Sequence, residues 1–251
     1  MNSSNIESGI QLFSRVNKKQ CLEGINPKFF PDGGPLPNQI IEITGGPKVE
    51  KTDLLIDFIV KCILPNKRPE WKSSGAVLIL CEHQINMFKI IKVIETHLKK
   101  NNVADPTKDI LKTCLKNLSI FNCYSAEELD LTIMSLERFI LAKDNISLIV
   151  IDNITSYYWL AKLNCNMLSY YQHAMKIFQK VYSAIRNLNV LLIYGRSDKI
   201  NNGNKKGFQN IDYRIDIQDG ENECSKACLM DFEKEKMINV NLRKDIILEF
   251  I

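Results

Sequence analysis

Residues 45–52 read GGPKVEKT, one position away from a phosphate-binding loop. The template is G-x-x-x-x-G-K-[ST]: backbone N–H groups cradle the phosphates, the lysine reaches the terminal phosphates and the hydroxyl ligates magnesium. Gly45 opens the match with Gly46 beside it, Lys51 and Thr52 close it, and Glu50 stands where the second glycine belongs. Two carboxylates extend the constellation. Asp152 ends the apolar run LIVID, a position at which a carboxylate holds magnesium, usually through water. Glu82 follows VLILC, where a carboxylate can act as catalytic base on an attacking water. Taken singly, each has a plain structural reading: a glycine turn with a chance Lys-Thr behind it, a polar strand end, a solvated glutamate. Together, in this order, they point to ATP and magnesium as ligands.

That chemistry needs a loop that follows a strand and opens a helix, with both carboxylates at C-terminal strand ends. The hydrophobic pattern supplies these elements. Strands are expected at 38–44, 76–81, 118–123, 147–152 and 189–194, and helices at 52–61, 88–100, 109–116, 126–142 and 169–186. Strands that are apolar throughout and alternate with helices predict an α/β fold with a mainly parallel central sheet covered on both faces. The tail differs: YRIDI, MINVNL and IILEF are short and often alternate, which predicts antiparallel strands at the C-terminal end of the sheet. The expected organisation is an N-terminal segment, 1–37, holding a short amphipathic stretch from Ile6 to Val16, and a single core, 38–251.

Composition narrows the class. A chain of 251 residues is long enough to bury a proper core. With 25% charged and 45% hydrophobic residues it is ordinary for a soluble globular protein. A net charge of +4 is compatible with a nucleic-acid partner but too mild to argue for one. The polar opening MNSSNIESG carries no secretory pattern, so the eight cysteines read as reduced thiols of an intracellular protein. Cys224 and Cys228 lack a second Cys or His pair, and the three histidines lack metal spacing, which leaves no zinc site.

The order of loop, Glu82 and Asp152 resembles the RecA-type recombinase core. ESGIQLFSRV, NPKFFPDGGPLPNQIIEITGGP, KCILP, CEHQINM and IDNITSYYWLAKLN narrow the resemblance to the eukaryotic recombinase paralogs, most clearly from Glu7 to Asn164. It implies a RecA-like P-loop core and a role in homologous recombination repair of DNA double-strand breaks in the nucleus. It also implies a heteromeric paralog complex, contact with the D-type paralog, and support for the main recombinase on single-stranded DNA. Only about forty residues precede the loop, too few for a separate N-terminal helical domain. That suits a subunit at the end of an assembly, which receives a neighbour's linker.

Two departures weaken the nucleotide site. Glu50 puts a Cβ and a negative charge where glycine lets the backbone approach phosphate. RecA-type cores carry a glutamine just past the strand NVLLIY that senses the terminal phosphate; here Ser197 stands there, with a shorter reach. Efficient hydrolysis is therefore not expected, and Glu82 would be a vestigial base. Retention of Lys51, Thr52, Glu82 and Asp152 keeps open the alternative of an active DNA-dependent ATPase. A P-loop protein of the kinase type is disfavoured, since no arginine-rich lid is evident. Arg196, Lys199, Lys205 and Lys206, with Phe208 for stacking, lie where recombinases place a DNA-binding loop, and read equally as a solvated surface loop. Tyr157, Tyr158 and Trp159 read as core aromatics. A like charge about 4 Å from the triphosphate costs on the order of 4 kcal/mol at an effective dielectric near 20, roughly a thousandfold in affinity. Glu50→Gly should therefore tighten ATP binding, measured by calorimetry, by up to that factor; unchanged affinity would remove the charge argument.

Overall fold

The computed structural model describes residues 9, 12, 19–46, 51–82, 85–101, 108–164, 169–197, 210–218 and 224–243. Glu50, Lys199, Lys205, Lys206, Phe208, most of the amphipathic stretch Ile6–Val16 and the expected strand IILEF lie outside them.

The described strands are β1 (Ile40–Gly45), β2 (Gly75–Leu80), β3 (Leu118–Asn122), β4 (Ile146–Asp152), β5 (Leu191–Ser197), β6 (Tyr213–Gln218), β7 (Cys224–Asp231) and β8 (Lys236–Arg243). The helices are α1 (Lys51–Ile63), α2 (Met87–Lys100), α3 (Lys108–Lys116), α4 (Ala126–Leu141), α5 (Tyr158–Asn164) and α6 (Tyr170–Ile185). They build one eight-stranded sheet of order β3-β2-β4-β5-β1-β6-β7-β8. The first six in that order run parallel, and β7 and β8 are antiparallel to their neighbours. This is the α/β, RecA-like architecture implied by the sequence.

Alternation along the strands feeds two cores. Ile41, Ile43, Leu78 and Val150 face a core closed by α1, α2 and the segment carrying Leu22, Ile25, Phe29 and Phe30. Ile40, Val77, Ile149 and Ile151 face a second core closed by α4 and α6. Strands apolar on both faces can only be covered by helices on both faces. Helix α1 is buried along nearly its whole length, including Asp57 and Lys61. Those two pair at 2.8 Å, and His97 of α2 sits 3.2 Å from the other Asp57 oxygen. Burial opposes ionisation of Asp57, but Lys61 and His97 overcome it and hold its carboxyl at about 2.

The tail departs from expectation in two ways. YRIDI becomes β6, which is parallel to β1 rather than antiparallel. A strand not anticipated, β7, follows it, and MINVNL lies in β8. The inward positions of β7 include the small residues Ser225 and Ala227, which carry no strong hydrophobic period, so the alternation is weak in sequence. The β7–β8 turn is closed by Asp231, whose Oδ1 accepts from the N–H groups of Glu233 and Lys234 at 3.0 Å each. That is an Asx turn.

Register at the sheet centre follows from one carboxylate. Glu42 of β1 is fully buried. It lies opposite Arg214 on β6 and Tyr194 on β5. Arg214 Nε donates to Glu42 Oε2 at 2.6 Å, and Arg196 Nε donates to Oε1 at 2.8 Å. Tyr194 adds its hydroxyl at 3.3 Å. The sequence reading set Arg196 among the loop cations. In the structure it is the penultimate residue of β5, largely buried, with its guanidinium on Glu42. Removing one partner from a buried ion cluster leaves uncompensated charge and costs about 3–5 kcal/mol. Glu42→Ala should lower stability by that amount in urea denaturation; a loss under about 1 kcal/mol would mean water already screens the two arginines.

Candidate nucleotide site

Parallel strands bring their C-terminal ends to one edge, and that edge gathers the residues singled out in the sequence. Gly45 ends β1, Glu82 follows β2, Asp152 ends β4 and Ser197 ends β5. Helix α1 begins at Lys51, so the loop leads from a strand straight into a helix N-terminus. Pairing is β2 to β4, β4 to β5 and β5 to β1, so one strand separates the loop from Asp152. Thr52 spans that gap: its Oγ1 donates to Asp152 Oδ2 at 3.2 Å.

Lys51 is turned back onto its own loop. Its Nζ donates to the carbonyls of Gly45 at 3.1 Å and Gly46 at 2.7 Å. Asp53, in the first turn of α1, pairs with Lys89 at the start of α2. Asp152 is buried, and desolvation raises its carboxyl to about 6. The negative charge of Glu82 adds to the rise; the Thr52 hydroxyl, Lys51 and Lys89 oppose it. The Thr52 hydroxyl and the Asp152 carboxylate are hard oxygens of the kind magnesium takes, and a carboxylate destabilised by burial gains most from a cation. The donor chemistry therefore fits magnesium. Among the described residues, no group of three or more His, Cys, Asp or Glu is arranged as a further metal site.

Asn153, Thr155 and Tyr170 were not anticipated. The peptide between Asp152 and Asn153 is cis. The Asn153 Oδ1 accepts from Thr155 N at 2.8 Å and Thr155 Oγ1 at 2.7 Å, which fixes the amide orientation. Its Nδ2 is thereby aimed outward, donating to Glu82 Oε1 at 2.6 Å and reaching Ser197 Oγ at 3.4 Å. Tyr170, at the start of α6, donates to Thr155 Oγ1 at 2.7 Å or Ser197 O at 2.6 Å. Asn153 thus joins the ends of β2, β4 and β5. The only sequence signal was a second polar residue after Asp152; Tyr170 gave none, because it arrives from a distant helix.

The aromatic cluster divides. Tyr157 and Tyr158 are buried, and the Tyr157 hydroxyl donates to Cys123 O at 2.5 Å. Trp159 is 54% exposed, which sets it apart from the core reading. Lys162 lies over the Tyr158 and Trp159 rings, 5.6 and 5.4 Å from their centroids.

No protein-family model matches the chain. The chain resembles the mouse DNA repair protein XRCC2. The two are 27% identical over 164 residues, 63% of this chain and 55% of the Mus musculus protein. The chain thus spans about half the length of the curated relative it matches. No described helix is long and apolar enough to cross a membrane.

The raised Asp152 carboxyl makes the site costly to stability. A carboxylate whose folded pKa exceeds its unfolded value stabilises the fold only below the unfolded pKa, and that contribution is lost as pH rises through the folded one. For Asp152 the window runs from 3.8 to about 6. Without nucleotide or magnesium, Asp152→Asn should stabilise the chain at neutral pH by about 3 kcal/mol. The gain should vanish by about pH 3, below both the unfolded and the folded value, where the carboxyl is neutral in both states. Urea titrations at the two pH values test it, and destabilisation of equal size at both would overturn it.

Proposed function

We propose that this chain is a recombinase-paralog subunit acting in homologous recombination repair of DNA double-strand breaks in the nucleus. It works as a partner-dependent scaffold with a degenerate nucleotide site. The similarity to a DNA repair protein, joined to a RecA-like fold, carries this reading. The partner is another recombinase paralog, the D-type member, in a heteromeric complex that supports the main recombinase on single-stranded DNA. ATP and magnesium, where they bind, are held weakly at Gly45, Gly46, Lys51, Thr52 and Asp152.

Two features favour a scaffold over an enzyme. Lys51 directs two of its donors onto loop carbonyls, so a phosphate must compete with those acceptors for the ammonium. Glu82 accepts from Asn153, so a water it would activate must compete with a short amide contact. Among the described residues the sheet ends at β3, whose side chains are mostly half-buried and whose Phe121 packs edge-on to Phe139 at 5.0 Å. Such an edge can take a neighbour's linker strand by β-augmentation.

The second reading, an active DNA-dependent ATPase, draws on the convergence of Thr52, Asp152, Glu82 and Asn153 at one strand edge. There Thr52 and Asp152 would hold magnesium, which supplies charge neutralisation to the phosphates, and Glu82 would take a proton from water. Complementation of a repair-deficient cell line separates the two. Lys51→Ala should restore repair to near the unmodified level and co-purify with the D-type paralog. Lost repair at normal abundance and normal partner recovery would transfer the conclusion to the ATPase.

A further inference from the structure

Beside the strand ends that carry Glu82 and Asp152 lies a pair of thiols that the nucleotide reading does not use. Cys81 follows β2 and Cys123 follows β3, and these strands are parallel with Leu80 opposite Asn122. The next residues in register are Cys81 and Cys123, and Cys123 N donates to Leu80 O at 2.8 Å, continuing the ladder. Both side chains are buried in the same core, beneath α4. Parallel neighbours lie about 4.8 Å apart, inside the Cα separation of about 4.4–6.8 Å that a disulfide needs.

We propose that Cys81 and Cys123 form an oxidisable dithiol, a modification site at which a hydroperoxide converts the two thiols into a disulfide bridging β2 and β3. The proposal is independent of nucleotide binding. The two side chains stand at adjacent in-register strand ends and pack into the same core. Thr132 Oγ1 of α4 lies 3.4 Å from the Cys123 sulfur, a polar contact. The Tyr157 hydroxyl holds the Cys123 carbonyl, so the strand end is pinned. The step is symmetric in the two sulfurs; with Cys123 oxidised first, Cys81 resolves. Cys62, by contrast, donates to the Gly75 carbonyl at 3.6 Å.

The chemistry balances with hydrogen peroxide as oxidant. The Cys123 thiolate attacks one peroxide oxygen, the O–O bond breaks, and hydroxide leaves and takes up a proton as water. Cys123 is now a sulfenic acid. The Cys81 sulfur displaces its hydroxyl group, which departs as water with the Cys81 proton, and the S–S bond forms. Two thiols and one peroxide give one disulfide and two waters. The bridge would tether the residue before Glu82 to the end of β3. Cys81 N also donates to Asp152 O at 2.8 Å, so three strand ends would be linked at this edge.

The test uses the full chain, alone or with its partner, reduced and then exposed to hydrogen peroxide. Free thiols are alkylated under denaturing conditions before tryptic digestion and mass spectrometry. Residues 73–89 and 117–138 form separate tryptic peptides, each with a single cysteine. The expected product joins these two peptides with loss of two hydrogens and reverts on reduction. In Cys81→Ala, dimedone should trap a sulfenic acid on Cys123. Recovery of both cysteines fully alkylated, while the half-buried Cys21 is oxidised, would overturn the proposal. So would equal cross-linking of unrelated cysteine pairs, which marks oxidation of unfolded chain.

Discussion

Glu42 lies at the middle of an eight-stranded sheet with none of its surface exposed, and a carboxylate there is tolerated only with charged partners. Those partners come from both neighbouring strands, Arg196 on β5 and Arg214 on β6. Slipping either strand by one residue would turn its arginine to the opposite face and leave the carboxylate short of a partner. The ion cluster therefore enforces the adjacency β5-β1-β6 as well as its register. Because β1 ends at Gly45 and β5 at Ser197, the same lock sets how the candidate nucleotide edge is aligned on that side.

On the other side of the edge the alignment rests on apolar packing and on one amide. Ile149, Ile151, Val77 and Ile79 are fully buried and hold β4 against β2. Asn153 then collects the ends of β2, β4 and β5 through Glu82, its own backbone and Ser197. A neutral amide is well suited to this, because its carbonyl end is committed to Thr155 and its N–H groups are left to face outward. The network is polar, at the rim of two apolar cores, and fully directional.

The residues proposed to hold nucleotide are engaged with one another or with their own loop. Lys51 is satisfied by loop carbonyls, Thr52 by Asp152 and Glu82 by Asn153. Internal satisfaction of this kind stabilises a fold that need not turn over substrate. It also means that a ligand has to offer better partners than those already in place. The burial of Asp152 works in the opposite direction, holding a carboxylate where its charge is unwelcome. A site that keeps such a group has retained an arrangement that packing alone would not select.

Much of this was legible in sequence because the deciding physics is local. Continuous apolar runs specify buried strands, helical periods specify the covering helices, and polar residues just past the runs specify the functional edge. The placement of Lys51, Thr52, Glu82 and Asp152 at one strand edge follows from those rules, whereas Ser197 was singled out only by the resemblance to RecA-type cores. What escaped depends on residues far apart in the chain. The register of β6 on β1 follows from Arg214 meeting Glu42, 172 residues away, and no period records that contact or the parallel direction of the strand. Small inward residues made β7 unreadable as a strand. Arg196 looked like a loop cation because sequence cannot tell a charge at a strand end from one that turns inward to a buried partner. Asn153 acquires its role only through the contacts of Thr155, Glu82 and Ser197, and Tyr170 only because α6 starts beside them. The pairing of Cys81 with Cys123 likewise exists only because β2 and β3 run parallel in that register. Sequence determined which surfaces had to be buried and which strand ends had to be polar; tertiary structure alone decided which of those polar groups face one another.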